Sequence, residues 1–150
     1  MITIRMMVKE DIDVVLPLAK VFYEESLKVY GFSFSEESLR QLAADHIATK
    51  SALVMERDGV VVGVIAGKFI KLALCDYTIF QETLWYVLPE YRGQGLRLFR
   101  ECEKYCQSLG IKSIVMGNMA NLNEEKMRKF YYSQGYKLME TQYVKTLIHS

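Results

Sequence analysis

The chain has 150 residues, of which 51% are hydrophobic and 25% charged, a composition typical of one globular domain rather than a disordered chain. Its formal net charge of +1 argues against a general nucleic-acid binder, because that function needs concentrated lysine and arginine. With no membrane-length apolar run, no secretory signal and three cysteines, the sequence predicts a cytoplasmic protein with free thiols and no membrane partner.

The first part of the chain predicts one strand and two helices. The strand covers residues 2–7, and Asp11 would cap the helix that follows it. Pro17 lies too deep for a first helical turn, so we expect a kink or a late start there. Ser35 would cap the second helix, on which His46 is predicted to be a surface or boundary residue.

The second part of the chain predicts mainly strands. Two strands, over 52–57 and 60–70, flank Asp58-Gly59, a pair typical of a type I′ hairpin. A buried strand over 78–87 then leads through a glycine-containing turn into a helix from Leu96 to Leu109. The remaining predicted elements are a strand over 113–116 and a helix that Asn123 would cap and that runs to Gln134. Strands over 136–139 and 142–147 follow, and then a frayed end that includes His149.

The turn after the strand over 78–87 has the properties of an anion site. The first amides of a helix have no internal partners, and the helix macrodipole places positive partial charge there. Gly93 and Gly95 carry no side chains that would keep a phosphate away from those amides. Arg92 adds a positive charge. The turn is therefore suited to a pyrophosphate.

Two common phosphate-binding fingerprints do not fit this turn. A nucleotide P-loop ends in Gly-Lys-Ser or Gly-Lys-Thr, which does not occur, and Leu98 stands where a dinucleotide fingerprint needs its third glycine. The turn instead resembles motif A of the GNAT superfamily of N-acetyltransferases, which has Gln or Arg, two residues, Gly, one residue, then Gly or Ala. Arg92 and Gly95 match this pattern, whereas Arg97 departs from the final Gly or Ala. The run that carries the resemblance is Val87-Leu88-Pro89-Glu90-Tyr91-Arg92-Gly93-Gln94-Gly95.

The resemblance implies both a fold and an activity. The fold would be an α/β GNAT domain over residues 1–150, with a mixed, mostly antiparallel sheet of about six to seven strands flanked by four helices. The activity would be transfer of an acetyl group from acetyl-coenzyme A to a primary amine of a small molecule, peptide or protein, directly and in a ternary complex. Homodimers are common in the family, so the resemblance also allows a homodimer.

The resemblance further assigns the coenzyme contacts. Backbone groups of the turn would hold the pyrophosphate, at Arg92, Gly93, Gln94, Gly95, Leu96 and Arg97. Val87 would hydrogen-bond the pantetheine arm through its backbone. The family asparagine sits seven residues before a tyrosine, but Asn123 lies eight residues before Tyr131. The resemblance therefore assigns the coenzyme contact to Asn123 with an offset of one residue.

Acetyl transfer to an amine needs a base, an oxyanion donor and an acid. An amine with a pKa near about 10.4 must lose a proton before it attacks, and the oxyanion then needs a fixed donor. The resemblance assigns the donor to a backbone amide near Trp85 and the acid that protonates the leaving thiolate to Tyr131, four residues before Gly135. Tyr132 lies about 100° further around the helix and would face elsewhere.

Glu82 is the candidate base. Strand alternation would place it on the face shared by Leu84 and Tyr86. Such a carboxylate is either a base whose pKa is raised by desolvation or a strand-end residue in solvent. An alternative is that Gln81 faces the cleft and orders a water.

Other features limit or widen the functional interpretation. Cys102 and Cys106 lack further ligands for zinc, so no metal is expected and both are predicted to be core residues. The departures at Arg97 and Asn123 also admit a coenzyme-A-binding or protein-interaction module with this fold and little or no turnover. The acceptor is not encoded in any motif. The aromatic loop over 29–34 either covers the core between two helices or, as the resemblance implies, borders the acceptor cleft.

Overall fold

The computed structural model describes residues 1–148, so the predicted frayed end at His149 lies outside the described residues. A five-stranded sheet in the order β1-β2-β3-β4-β5 runs through the centre, antiparallel from β1 to β4 and parallel between β4 and β5. The elements, in chain order, are β1 Ile2–Met6, α1 Ile12–Ser26, α2 Glu36–Thr49, β2 Ala52–Arg57, β3 Val60–Lys71, β4 Thr78–Val87, α3 Gly95–Ser108, β5 Ile114–Val115 and α4 Glu124–Ser133.

The sheet has fewer strands than the six to seven predicted. Residues 136–139 and 142–147 form no strand in the described chain, and apolar side chains there are exposed, with Leu138 69% and Tyr143 94% accessible. A strand needs a partner with which to exchange hydrogen bonds. The neighbouring edge strand, β5, is two residues long and offers too little backbone for a ladder.

The two faces of the sheet are covered by different helices. Helices α1 and α2 pack on one face, where Val15, Leu18 and Ala43 belong to the same buried cluster as Val54 and Val64. We call this the α1/α2 face. The other face, here the α3/α4 face, is covered by α3, whose Leu98, Phe99, Cys102 and Cys106 pack with Met55, Ile65, Phe80 and Val87. Both α3 cysteines are core residues, at 4% and 0% exposure, as the sequence predicted.

One expectation about α1 is wrong, and of the two alternatives at Pro17 the late start is excluded. The carboxylate of Asp11 makes no side-chain cap to α1; it accepts from the Val8 amide at 2.8 Å and from both terminal nitrogens of Arg5 at 2.8 and 2.9 Å. These bonds hold the side chain back towards β1. The helix starts at Ile12 and runs through Pro17, so there is no late start.

The hairpin between β2 and β3 is confirmed. Asp58 and Gly59 have φ values of 50° and 86°, and a type I′ turn needs positive φ at both central residues. Ser35 also caps α2 as predicted, by accepting from the Ser38 amide at 3.1 Å. Among residues 1–148, no helix combines the length and the apolar character needed to cross a bilayer.

Candidate active site

A bulge in β4 decides which side chains face the site. Gly67 of β3 is paired with Glu82, and Ala66, the residue before it, is paired with Leu84. Thr83 therefore has no partner on β3 and is an extra residue on β4. One extra residue reverses the alternation of faces beyond it. The prediction that Glu82 shares a face with Leu84 and Tyr86 is therefore wrong. Leu84 and Tyr86 pack on the α1/α2 face, whereas Glu82 lies on the α3/α4 face with Phe80, Trp85 and Val87.

The bulge also changes which backbone groups face outward from β4. β5 pairs with β4 at Phe80 and Gln81, and within the described chain no strand lies beside the edge of β4 from Thr83 to Val87. The Leu88 amide donates to Val62 O in β3 at 2.9 Å. Because amides alternate along an antiparallel strand, those of Trp85 and Val87 point away from β3 into the gap beside β4. We call this gap the β4 cleft.

Glu82 lies at the point where β5 leaves β4. Its Oε1 accepts a hydrogen bond of 2.9 Å from the Gly117 amide, in the loop that follows β5. Burial raises the pKa of the Glu82 carboxyl to about 7, although the hydrogen bond from the Gly117 amide by itself lowers this pKa. A carboxyl group with a pKa near neutrality has the property required of a general base. Glu82 is half-buried and bonded to the Gly117 amide, so its side chain is not freely solvated.

Tyr131 reaches the same loop residue from α4. Its hydroxyl donates to Gly117 O at 3.4 Å, so one residue bonds to Glu82 through its N–H and to Tyr131 through its C=O. Burial, and to a smaller extent the charge of Glu82, raises the pKa of the Tyr131 phenol, which therefore stays protonated. Tyr132 is 51% exposed, so the two neighbouring tyrosines face different ways.

Aromatic rings surround this part of the site. The Trp85 ring stacks on Phe99 at 5.2 Å, and Phe99 contacts Phe130 edge-to-face at 5.3 Å. Tyr131 and Tyr136 lie 5.6 Å apart between ring centroids. The indole nitrogen of Trp85 is buried and has no hydrogen-bond partner among residues 1–148. These rings place Tyr131 in a largely apolar environment.

The glycine-containing turn consists of a 3₁₀ segment, Pro89–Gln94, followed directly by α3 at Gly95. The helix thus begins one residue before the predicted Leu96. Gln94 makes no side-chain cap to α3 within the described residues, and the Gly95 amide donates to Arg92 O. Gly93 faces open space, since an added Cβ would meet nothing within 4 Å, and at Gly95 it would lie 3.6 Å from Val87 Cγ2.

Arg92 has a structural role at this turn. Its Nε donates to Val87 O at 3.1 Å, and its guanidinium lies 5.5 Å from the centre of the Tyr86 ring. It thereby ties the turn to the end of β4. Arg92 and Arg97 are both exposed, so the start of α3 presents two positive charges beside Gly93, which is open, whereas Gly95 is buried. This donor set fits a pyrophosphate group such as that of coenzyme A.

Two residues differ from their expected roles. Asn123 occupies the N-cap position of α4 in a left-handed conformation, φ 46°, but makes no side-chain cap in the described chain. His46, predicted to be a surface or boundary residue, is 4% exposed and therefore buried. It is hydrogen-bonded to Ser51 at 2.9 Å and to Thr83, in the β4 bulge, at 3.0 Å. Thr83 is 37 residues away in sequence, so no local pattern could have revealed this contact.

Comparisons with known proteins identify a family for this chain. The family model described as "Acetyltransferase (GNAT) family" matches residues 19–136, a range that includes the turn, Glu82 and Tyr131. No curated protein matches the sequence significantly.

Solved structures share the fold at low sequence identity. A possible acetyltransferase from Clostridium difficile 630 is 18% identical, with 99% of both chains covered and a TM-score of 0.74. A ribosomal-protein-alanine N-acetyltransferase from Brucella melitensis biovar Abortus 2308 is 18% identical, with 98% of this chain and 99% of that one covered and a TM-score of 0.74. AAC(6′)-Iy, in complex with the bisubstrate analog CoA-S-monomethyl-acetylneamine, is 14% identical, with 99% of both chains covered and a TM-score of 0.72.

Proposed function

Because the chain belongs to the GNAT acetyltransferase family, we propose that it transfers the acetyl group of acetyl-coenzyme A directly to a primary amine of a small molecule, peptide or protein. The observation that carries the proposal is the arrangement at Gly117. A carboxyl group with a pKa of about 7 and a protonated phenol are bonded to the same residue, beside the open edge of β4. This pairing supplies a base and an acid within one cleft.

The start of α3 would hold the coenzyme. Bound acetyl-coenzyme A supplies the acetyl thioester that the reaction consumes. Arg92, Gly93, Gln94, Gly95, Leu96 and Arg97 would bind its pyrophosphate, through backbone groups at the helix start and the positive charges of the two arginines. Val87 would bind the pantetheine arm through backbone groups that face the β4 cleft. Asn123, exposed at the start of α4, would add a further contact to the coenzyme.

The residues around Gly117 would carry out the proton transfers. Above pH 7 Glu82 is mostly ionised and accepts the proton of the acceptor amine, directly or through a water. The Trp85 amide donates to the oxygen on which negative charge develops. Tyr131 donates its proton to the departing sulfur. An amine acceptor is also supported by the AAC(6′)-Iy complex, whose bound analog joins coenzyme A to an acetylated neamine.

The proposal is tested by measuring release of free thiol from acetyl-coenzyme A with a panel of primary amines. We expect release that depends on an added amine, with acetylation of that amine verified by mass spectrometry. A protein that binds acetyl-coenzyme A in calorimetry but acetylates no amine of a broad panel would instead be a coenzyme-binding module. A protein that does not bind acetyl-coenzyme A at all would contradict the whole assignment.

A further inference from the structure

Three elements meet at the bulge of β4. Thr83 Oγ1 donates to Ala66 O in β3 at 3.1 Å and lies 3.0 Å from His46 Nε2 in α2. Since the hydroxyl has one proton and gives it to Ala66, it must accept from His46, whose Nε2 is therefore the protonated nitrogen. His46 Nδ1 then accepts from Ser51 Oγ at 2.9 Å. Both ring nitrogens of the neutral imidazole are thus hydrogen-bonded.

The environment of His46 keeps it in this form. The residue is 4% exposed and Ser51 2%. Burial lowers the pKa of the imidazole, and nearby Lys68 lowers it further, whereas a Gly67 backbone contact and Asp45 act in the opposite direction. A neutral imidazole with a fixed tautomer is a rigid donor towards Thr83.

Gly67 determines where the extra residue can sit. An added Cβ at Gly67 would collide with the Phe80 ring and lie 2.6 Å from Gln81 O. Strands β3 and β4 therefore approach closely just before the bulge. On the β2 side of β3, the Gly67 amide donates to Ser51 O at 3.0 Å. The close approach and the His46–Thr83 hydrogen bond together hold the extra residue at position 83.

We propose that His46 and Thr83 are positioning residues for acetyl transfer, which hold the β4 bulge so that the Glu82 carboxylate and the Trp85 amide face the same cleft. The proposal rests on the proposed function of that cleft. Without the bulge, simple alternation would put Glu82 on the opposite face from Trp85. Both proposed positioning side chains lie on the α1/α2 side of β4, away from the turn that would bind the coenzyme.

The test uses two matched pairs of variants. Thr83→Val keeps the shape of the side chain and removes the hydroxyl, while Thr83→Ser keeps the hydroxyl. His46→Leu removes the donor, while His46→Gln keeps an N–H near the position of Nε2. We expect Thr83→Val and His46→Leu to lower kcat by about tenfold to a hundredfold, because small misplacements of reacting groups are costly. The KM for acetyl-coenzyme A should stay within about threefold of wild type in all four variants. Thr83→Ser and His46→Gln should retain most of the wild-type kcat.

A second readout does not depend on turnover. The pKa of Glu82, measured by carboxyl-carbon NMR, should be near 7 in the wild type and fall towards 4.5 in Thr83→Val and His46→Leu. An unchanged Glu82 pKa in both folded variants overturns the proposal. If the wild type acetylates no amine, the proposed function fails, yet the same titration still decides whether the pair positions Glu82. Two independent sites of mutation guard against the loss of one variant through misfolding.

Discussion

Glu82 links the stability of the protein to pH. Burial raises the pKa of its carboxyl from 4.5 to about 7, so between these values the folded protein holds a proton that the unfolded chain has released. The contribution of Glu82 to stability is therefore fully present below pH 4.5 and is lost as the pH rises through 7. The difference in pKa corresponds to about 3 kcal/mol.

Glu82→Gln should therefore have opposite effects on stability and on activity. The variant has no charge to desolvate, so at about pH 8 its free energy of unfolding should exceed that of wild type by up to about 3 kcal/mol. Turnover should fall while coenzyme affinity stays nearly unchanged, because the base is lost. Denaturant unfolding and a pH–rate profile measure the two effects. An acidic limb that is identical in both proteins would remove Glu82 from the mechanism.

Tyr131→Phe separates the phenol from its packing. The hydroxyl makes a long hydrogen bond of 3.4 Å, so its removal should change the melting temperature little. Loss of general-acid assistance should lower turnover by about 10²–10⁴-fold where proton transfer limits the rate. Tyr132→Phe is the matched control, and its exposed side chain should make it nearly silent. If Tyr132→Phe lost most of its turnover while Tyr131→Phe remained fully active, the wrong tyrosine would have been assigned as the acid.

At the scale of single elements, the start of α3 can be tested by two changes at Gly95. A Cβ there makes only an ordinary contact with Val87, so Gly95→Ala should fold and still bind the coenzyme. Gly95→Asp places a negative charge in the first turn, where the macrodipole favours it. The same charge would repel a pyrophosphate, and calorimetry should show no binding of acetyl-coenzyme A. Wild-type affinity in the Asp variant would show that the anion binds elsewhere.

The sequence predicted those elements whose signals are local. The bounds of β4 match the prediction, and the hairpin at Asp58-Gly59 and the Ser35 cap depend on residues that lie next to each other. The bulge at Thr83 was missed because it depends on a close approach between β3 and β4, and the face of Glu82 was wrong for that reason. The burial of His46 was missed because its partner Thr83 is on another element.

On the scale of the whole molecule, regular secondary structure is distributed unevenly across the sheet. β1 to β4 form long ladders and carry both buried clusters, whereas β5 contributes two residues and the chain beyond Tyr136 has no regular structure within the described range. This last segment contacts the body of the protein through a 3.1 Å hydrogen bond, which Thr146 Oγ1 donates to Tyr30 O. The aromatic loop over 29–34 and the last segment therefore meet at one side of the molecule.

Limited proteolysis should expose this difference. Trypsin should cut first after Lys137 or Lys145, because both lie in an exposed segment without secondary structure. The product should still bind acetyl-coenzyme A, since the turn, Glu82 and Tyr131 all lie before these sites. Mass spectrometry of the early fragments identifies the cuts, and calorimetry on the product checks binding. Early cleavage inside β2 or β3, with 137–148 still intact, would contradict the described arrangement.

The position of Trp85 gives the protein an internal optical probe. It is the one tryptophan in the chain, and its ring stacks on Phe99 beside the β4 cleft. Fluorescence excited selectively in the indole therefore comes from this one residue. Its buried indole N–H has no hydrogen-bond acceptor among the described residues. A molecule that enters the cleft will change the polarity around this ring and with it the emission spectrum. Coenzyme and acceptor binding can thus be followed in real time, without a label and before any product forms.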